Sequence, residues 1–405
     1  MTVWDDLVGQ QPVVDILRRA VESAQARLDG RQLAGMTHAW LVTGPPGSGR
    51  SNAGRAFAAA LECRRDEPGC GECIDCRTAL SGAHPDVTLI RTELLSIRVA
   101  EVRELIRRAA MSPTNGRWQV MVVEDADRLT EQAADALLKS IEEPAARTVW
   151  VLCAPTVEDV VPTIRSRCRL VVLRTPPTEA VAEMLERRDG IDPDLAGFAA
   201  RAAQGHIGRA RALARDERVR ERRRTVLAVP FGLRDLGACL TAAAGLVGAA
   251  REEAKETTAE VDTRERAELE HALGMGTIGA KPREAQAAIR ELEEQQKARA
   301  KRWERDVLDR SLVDLIALYR DVLVLQTRAG AELVNAELRR ELEDLAGRST
   351  PEQTVHRIGS ITVCRDSVEA NVAPLLAVEA MTIGLFEGTK PPPGPVPARI
   401  AALRR

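Results

Sequence analysis

Eight consecutive residues have the types and the order of a phosphate-binding loop. Residues 44–51 read Gly-Pro-Pro-Gly-Ser-Gly-Arg-Ser, close to the pattern G-x-x-x-x-G-K-[ST]. Gly44 and Gly49 allow the backbone to fold around an anion with its N–H groups pointing inward. The pattern asks for lysine where this chain has Arg50. Lysine is a compact point charge and arginine a bulky planar fork, so the two are not interchangeable at a crowded phosphate site.

The residues around this loop predict the elements that must position it. Residues 38–42 are apolar enough for a buried strand, and residues 51–61 have the alanine-rich pattern of a helix. Phosphate binding requires a strand, a glycine-rich loop and a helix in that order, and the helix N-terminus adds partial positive charge. The alternative is an ordinary glycine-proline turn. The candidate nucleotide-binding residues of the loop are Gly44, Gly47, Ser48, Gly49, Arg50 and Ser51.

A second nucleotide motif would be an apolar strand that ends in an acidic pair. Residues 120–123 read Val-Met-Val-Val and precede Glu124 and Asp125. In hydrolysing sites an aspartate at the first place holds Mg²⁺ and a glutamate at the second orients the attacking water. The order is reversed here. We therefore expect a site at which ATP or ADP can bind and hydrolysis does not occur, unless the two acids only cap the next turn.

Four cysteines have the spacing of a metal site. Cys63, Cys70, Cys73 and Cys76 form the pattern C-x6-C-x2-C-x2-C within one short loop that contains glycine. Two C-x2-C steps bring four thiolates within reach of one tetrahedral ion. Because four thiolates leave no coordination position for water, the pattern predicts a structural Zn²⁺ site. The alternative is four unrelated thiols.

Length, charge and composition limit the classes of protein to consider. The chain has 405 residues and a formal charge of −2, enough length for two or three domains and no global basic field for nucleic acid. We find no apolar run of the ~18 residues that a membrane span needs and no basic-then-apolar signal at the N-terminus. We therefore expect a cytoplasmic protein with no membrane contact, in which clustered cysteines indicate metal rather than disulfides.

The chain pattern predicts an α/β domain followed by helices. Strand and helix signals alternate as far as residue 175, which favours a mainly parallel sheet. The predicted strands are 38–42, 86–90, 118–123, 148–153 and 169–173, and the predicted helices between them are 51–61, 97–110 and 131–142. We assign residues 1–175 to this domain and residues 63–76 to an inserted zinc loop.

Beyond Pro176 and Pro177 only helical patterns follow. Residues 176–220 predict a small helical lid with helices over 178–187, 193–203 and 207–214. Residues 221–390 predict an all-α domain, and its stretch 251–306 is highly charged and nearly free of large apolar side chains. A helical hairpin projecting into solvent fits that stretch best, with disorder as the alternative. The proline-rich residues 391–405 predict an extended tail outside the fold.

Two arginines stand at positions where they could reach a phosphate. Arg167 lies in Ser166-Arg167-Cys168, just before the last predicted strand. Arg209 opens a predicted lid helix in the stretch Gly205–Arg209, from which it could face the phosphate loop. For both, the alternative is a solvated surface arginine.

These motifs together resemble the AAA+ clamp-loader ATPases of bacterial DNA polymerase III. The resemblance covers roughly residues 1–215 and is only architectural beyond 220. The resemblance rests on six stretches: Val8-Gly9-Gln10, residues 44–51, the four-cysteine loop with Gly82-Ala83-His84-Pro85-Asp86, residues 137–144 (Leu-Leu-Lys-Ser-Ile-Glu-Glu-Pro), Ser166-Arg167-Cys168 and Gly205–Arg209. It implies an AAA+ domain of the P-loop NTPase type, a helical lid and an all-α collar domain that joins a ring of subunits.

The resemblance also implies roles and partners. Motor subunits of the loader, gamma or tau, have the loop lysine and the Asp-Glu order that this chain lacks. The resemblance therefore implies a non-hydrolysing subunit of the DNA polymerase III holoenzyme, whose Arg167 acts as an arginine finger on a neighbour's ATP. The implied partners are the motor subunits, the delta subunit, the sliding clamp and primer-template DNA. The alternatives are a motor subunit itself and an unrelated zinc-containing AAA+ repair factor.

Overall fold

A computed structural model describes residues 2–92, 96–114, 117–273 and 283–387. The chain forms two compact units, Met1–Arg215 and Asp216–Arg405. The predicted tail 391–405 and the middle of the predicted hairpin, 274–282, lie outside the described residues. No described helix is long and apolar enough to cross a membrane.

The first unit is built on a five-stranded sheet in which all the pairings are parallel. In chain order the strands are β1 Ala39–Thr43, β2 Val87–Ile90, β3 Gln119–Val123, β4 Thr148–Ala154 and β5 Arg169–Val172. Their order across the sheet is β2-β3-β4-β1-β5. Since β1 is flanked by β4 and β5, the loop that leaves β1 lies at the carboxyl edge of the sheet, where open α/β sheets bind ligands.

Nine helices accompany these strands in the described part of the first unit. They are α1 Gln11–Leu28, α2 Arg50–Glu62, α3 Ile74–Ser81, α4 Val99–Ala109, α5 Glu131–Glu142, α6 Pro162–Arg165, α7 Thr178–Asp189, α8 Pro193–Ala203 and α9 Ile207–Arg215.

The strands β1, β3 and β4 are buried on both faces because helices cover each side of the sheet. Along β3, Val120 and Val122 pack into one apolar cluster with α1 and α2, whereas Met121 and Val123 pack into a second cluster with α4 and α5. Central parallel strands therefore read as continuous apolar runs, which is why they are visible in the sequence. The predicted α/β class with a parallel sheet is confirmed.

The second unit is helical in its described part. Its helices are α10 Glu217–Gly232, α11 Leu236–Ala272, α12 Arg283–Thr327, α13 Arg339–Gly347, α14 Pro351–Glu369 and α15 Pro374–Glu387. The apolar core gathers residues of α10 to α15, with the fully buried Leu315 and Tyr319 of α12 among them. Ala250 of α11 and Val307 of α12 are the core residues nearest to the charged stretch.

Candidate functional site

The phosphate loop connects β1 to α2, as the sequence predicts. Gly44 donates its backbone N–H to the carbonyl of Pro155 at 3.1 Å, which ties the loop to the end of β4. Gly49 has φ +97° and is the N-cap of α2. This left-handed backbone favours glycine because a side chain would be strained there.

Arg50 turns back into its own loop. Its guanidinium donates a hydrogen bond to the carbonyl of Gly44. Burial lowers the pKa of Arg50, and the nearby acidic groups of Asp127 and Asp125 act in the opposite direction. An arginine remains charged even so. The cation of the loop therefore neutralises groups of the chain itself.

Ser48 is a buried residue of the loop, and its backbone N–H is bonded within the loop. Its side chain is 1% exposed, and its hydroxyl has no hydrogen-bond partner in the described structure. The backbone N–H of Ser48 donates to the carbonyl of Pro45 at 3.1 Å. At least one N–H of the predicted anion cradle is therefore already used within the loop.

The lid touches the loop through His206 and Ile207. Ile207 donates its N–H to the carbonyl of Gly47 at 3.3 Å. A Cβ built on Gly47 would lie 2.1 Å from Cγ of His206, so the imidazole packs directly on this glycine. Arg209 is half-buried and donates its backbone N–H to Nδ1 of His206 at 3.2 Å. The sequence does not predict this contact of His206 with Gly47. The one indication in the sequence is that His206 directly follows Gly205.

The carboxyl end of β3 carries an ion pair that the sequence did not reveal. Glu124 is 6% exposed, and its Oε1 lies 2.5 Å from Nε of Arg55 in α2. A guanidinium thus occupies the neighbourhood of the first strand-end acid, where a hydrolysing site would hold Mg²⁺. Asp125 is half-buried and precedes the short 3-10 helix Ala126–Arg128. Burial also raises the pKa of the nearby Asp127.

The four predicted cysteine ligands come together at one point. The Sγ atoms of Cys63, Cys70, Cys73 and Cys76 all lie within 4.8 Å of one another. Sγ of Cys63 is 3.8 Å from that of Cys70 and 3.9 Å from that of Cys73. Thiolates ~2.3 Å from a tetrahedral zinc ion are about 3.8 Å apart, so the cluster fits such an ion.

Local backbone geometry shapes the cysteine cluster. The N–H groups of Cys73 and Cys76 point at Sγ of Cys70 and Cys73, each at 3.4 Å. Burial tends to raise the pKa of Cys70, but hydrogen bonds from the backbone of Cys73 and Glu72 lower it to about 7. Cys73 is the N-cap of α3, and Cys76 lies in its first turn. The sequence predicts only a loop here, because the glycines and cysteines conceal this short helix.

Within the stretch 82–86, His84 and Asp86 belong to a buried polar network behind this cluster. His84 accepts the N–H of Asp86 on Nδ1 at 3.1 Å, and Asp86 accepts the N–H of Thr114 at 2.6 Å. Glu62, at the end of α2, lies beside them. Burial, with the charge of Asp86, raises the pKa of Glu62 to about 8. The network joins the segment before β2 to the segment before β3, a structural role.

Arg167 lies on the surface just before β5. Its Nη2 is 2.5 Å from Oε1 of Glu142 in α5, and the guanidinium side chain remains 39% exposed. Its Nη1 donates to the carbonyl of Thr163 at 2.8 Å. In this chain on its own, Arg167 is therefore paired with a local carboxylate.

The fold and the loop define the class of protein. A five-stranded parallel sheet in the order β2-β3-β4-β1-β5, a phosphate-type loop after its interior strand β1 and helices on both faces constitute an AAA+ P-loop α/β domain, followed by a helical C-terminal unit. Residues 23–177 match the family model described as "DNA polymerase III, delta subunit". The resemblance to the delta-prime subunit of bacterial DNA polymerase III, which the motifs predict, is confirmed.

Curated relatives agree with this family match. The chain is 36% identical over 166 residues to DNA polymerase III subunit delta-prime of Pseudomonas aeruginosa, covering 40% of this chain and 50% of that one. It is 27% identical over 227 residues to the delta-prime subunit of Bacillus subtilis, covering 55% and 65%. It is also 29% identical over 185 residues to subunit gamma/tau of Mycobacterium tuberculosis, covering 45% and 30%.

The extent of these matches is partial. The matched regions span half to just under two thirds of the length of the delta-prime relatives. A gamma subunit-related protein of Thermotoga maritima aligns with 92% of this chain and all of its own, at 16% identity and a TM-score of 0.37. That score adds nothing to the assignment. The chain is thus similar over part of its length to DNA polymerase III delta-prime and gamma/tau subunits, and the match to the family model lies within the first unit.

Proposed function

We propose that this chain is a delta-prime-like subunit of the DNA polymerase III clamp loader, a ring member that does not hydrolyse ATP. The proposal is supported mainly by the nucleotide site, in which the arginines bind groups of the chain itself. Arg50 binds the carbonyl of Gly44, and Arg55 pairs with Glu124 at 2.5 Å. A nucleotide site would direct the cation of its loop at phosphate and would hold Mg²⁺ near the first strand-end acid. Here Arg50 and Arg55, which stand at these two places, are both bound to groups of the chain itself.

The energetic consequence concerns turnover more than binding. Losing one preorganised contact to the charge that develops in a transition state commonly costs ~3 kcal/mol, about two decades in rate. The loop lacks the lysine contact, and the strand-end acids are in reversed order. ATP or ADP could still bind to the remaining backbone amides, but hydrolysis would be negligible.

Under the same proposal, Arg167 acts on the ATP of a neighbouring subunit. The surface pair with Glu142 is worth only about 0–1 kcal/mol, because both side chains are more than a third exposed. A guanidinium binds two phosphate oxygens in a bidentate fashion, which is stronger. Docking of a neighbour's ATP could therefore draw Arg167 away from Glu142 at little cost.

Matched variants in a reconstituted loader test the finger. Arginine fingers are worth ~10³–10⁵ in rate elsewhere, but other sites of the ring would dilute the loss of one. Arg167→Ala should leave the chain folded and the complex assembled, and should reduce the DNA- and clamp-stimulated ATPase of the complex. Glu142→Ala, which frees the guanidinium, should leave that ATPase unchanged or raised. If both variants behave alike, Arg167 is only a partner of Glu142.

The ATPase assay on the purified chain tests the rest. We expect no turnover above background, whereas robust hydrolysis abolished by Arg50→Ala would identify a motor subunit. Capture of tagged chain from its own cells should retrieve the delta and gamma/tau subunits; retrieval of unrelated repair proteins would contradict the proposal. Under the same proposal, a structural Zn²⁺ would be held by the cluster of Cys63, Cys70, Cys73 and Cys76. The sliding clamp and primer-template DNA would be further partners of the subunit.

A further inference from the structure

One short segment before α1 contacts three separate parts of the first unit. Residues 3–10, which we call the strap, form turns rather than a helix or a strand. Four of its side chains are nevertheless buried, those of Val3, Trp4, Leu7 and Gln10. Fixing an irregular segment costs conformational entropy, which the contacts of these side chains must offset. The position of the strap therefore depends on the parts of the chain that it touches.

The strap begins against the cysteine loop, residues 63–76. Val3 donates its N–H to the carbonyl of Gly69 at 2.9 Å. A Cβ built on Gly69 would lie 2.8 Å from Cγ2 of Val3 and 2.9 Å from Nε1 of Trp4, so both side chains pack on this glycine. Gly69 directly precedes Cys70, one of the four metal-type ligands. The backbone of the cysteine loop therefore sets the position of the first residues of the strap.

The other end of the strap contacts the linker between β5 and α7, from which the lid begins. Gln10 donates from Nε2 to the carbonyl of Arg174 at 2.6 Å and accepts the N–H of Arg174 on Oε1 at 3.1 Å. A Cβ built on Gly9 would lie 2.8 Å from Cδ of Pro177, so the strap and the linker are in direct contact. These contacts hold the point at which the chain leaves the sheet for the lid.

The middle of the strap contacts the lid helices and the phosphate loop. Asp6 pairs with Arg188 of α7, and its Oδ1 lies 3.9 Å from Nη2 of Arg211 in α9. Leu7 lies beside Gly49, whose built Cβ would be 3.8 Å from Cδ2 of the leucine. The start of α9 in turn touches the phosphate loop. One segment thus joins the cysteine loop, the phosphate loop and the lid.

We propose that the strap transmits the state of the cysteine loop to the lid. A metal-loaded loop holds Val3 and Trp4 in place, and the strap then holds the lid against the phosphate loop. When the metal is lost, the first residues of the strap are released and the lid loosens. Only residues 5–8 separate the two ends, and the buried Leu7 among them keeps a displacement from being absorbed between them. The metal part rests on the proposed Zn²⁺ site, whereas the mechanical part rests on the strap contacts alone.

Hydrogen exchange at two adjacent backbone amides separates the lid linker from the sheet. The N–H of Arg174 is held by the side chain of Gln10, whereas that of Leu173 is bonded to the carbonyl of Thr43 at 2.7 Å. A third amide, that of Ile207, reports on the contact of the lid with the phosphate loop. Release of the lid should accelerate exchange at Arg174 and Ile207 and leave Leu173 protected.

Gly69→Ala tests the mechanical part in the full chain. The added methyl group meets Val3 and Trp4, and it acts whether or not a metal is bound. Exchange at Arg174 and Ile207 should rise about fivefold, the change that the loss of one hydrogen bond produces. Unchanged exchange at both amides in a folded Gly69→Ala variant would overturn the proposal.

Matched tryptophan variants distinguish release of the lid from a general loss of stability. Trp4 and Trp118 are 4% and 6% exposed and belong to the same apolar cluster, but Trp118 lies outside the strap, just before β3. Trp4→Ala should accelerate exchange at Arg174 relative to Leu173, whereas Trp118→Ala should not. The proposal fails if the two variants give the same pattern.

Chelation tests the metal part. Removing the metal from the wild-type chain should accelerate exchange at Arg174 and Ile207, and should add little in Gly69→Ala, in which the strap is already released. Full protection of both amides in the metal-free chain would overturn the coupling. A chain that contains no metal as purified would refute the Zn²⁺ site and the metal part with it, while Gly69→Ala would still decide the mechanical part. These results leave the arginine-finger assay in the assembled loader unaffected.

Discussion

Removing the Arg55 guanidinium should leave the buried carboxylate of Glu124, at the end of β3, without its ion-pair partner. The side chain of Glu124 is only 4% exposed and that of Arg55 30%, with 2.5 Å between Oε1 and Nε. Breaking a buried pair by deleting one partner costs ~3–5 kcal/mol. We take the lower end, about 3 kcal/mol for Arg55→Ala, because water reaches part of the arginine side. For a unit of this size that loss lowers Tm by roughly 6–12 °C.

A double-mutant cycle separates the stranded charge from lost packing. Glu124→Gln in the Arg55→Ala background removes the uncompensated charge, so the double variant should recover at least half of the loss. Four of the five tryptophans lie in the first unit, so thermal or urea unfolding followed by tryptophan fluorescence reports mainly on that unit. Arg187→Ala, which breaks the exposed Arg187–Glu183 pair, is the matched control and should cost less than about 1 kcal/mol.

Two results would refute this reasoning. A loss below about 1 kcal/mol in Arg55→Ala would mean that Glu124 is solvated or protonated without its partner. A double variant as unstable as the single one would mean that Arg55 acts through packing of its aliphatic stem rather than through charge.

Two further predictions concern the cysteine cluster and the lid. Purified chain prepared without added zinc should contain one Zn²⁺, and Cys73→Ser or chelation should lower Tm and expose α3 to proteolysis; absent metal with four freely reactive thiols would contradict this. Gly47→Ala should destabilise the first unit by ~1–3 kcal/mol, because its φ is +78° and its Cβ would meet His206. Adding His206→Ala should recover only the steric share, and full recovery would show that backbone strain contributes nothing.

Much of the first unit follows from its sequence because its strands β1, β3 and β4 are buried on both faces. Apolar runs such as residues 120–123 identify central strands, and glycines or prolines delimit the helices between them. The four metal-type ligands were predicted from spacing alone, since C-x2-C fixes how far apart the thiolates can be. Helix α3 was missed because its first residues are also ligand positions, so metal spacing concealed helical periodicity.

The partners of the charged residues could not be predicted in the same way. Arg55 lies on an alanine-rich helix, and nothing local indicates that it meets Glu124, 69 positions later. Likewise, Ser166-Arg167-Cys168 predicts an available guanidinium, but only the three-dimensional structure shows Glu142 beside it. Pairings across elements depend on how the sheet orders its strands, and single-sequence patterns carry little of that order.

The ion pair between Arg167 and Glu142 has a consequence for the unassembled chain. In an unassembled copy, the exposed guanidinium of Arg167 is paired with the carboxylate of Glu142. Free nucleotides and other anions in solution therefore meet a neutral pair rather than an unpaired cation. Because that exposed pair is worth only about 0–1 kcal/mol, the charge of Arg167 is neutralised at little energetic cost.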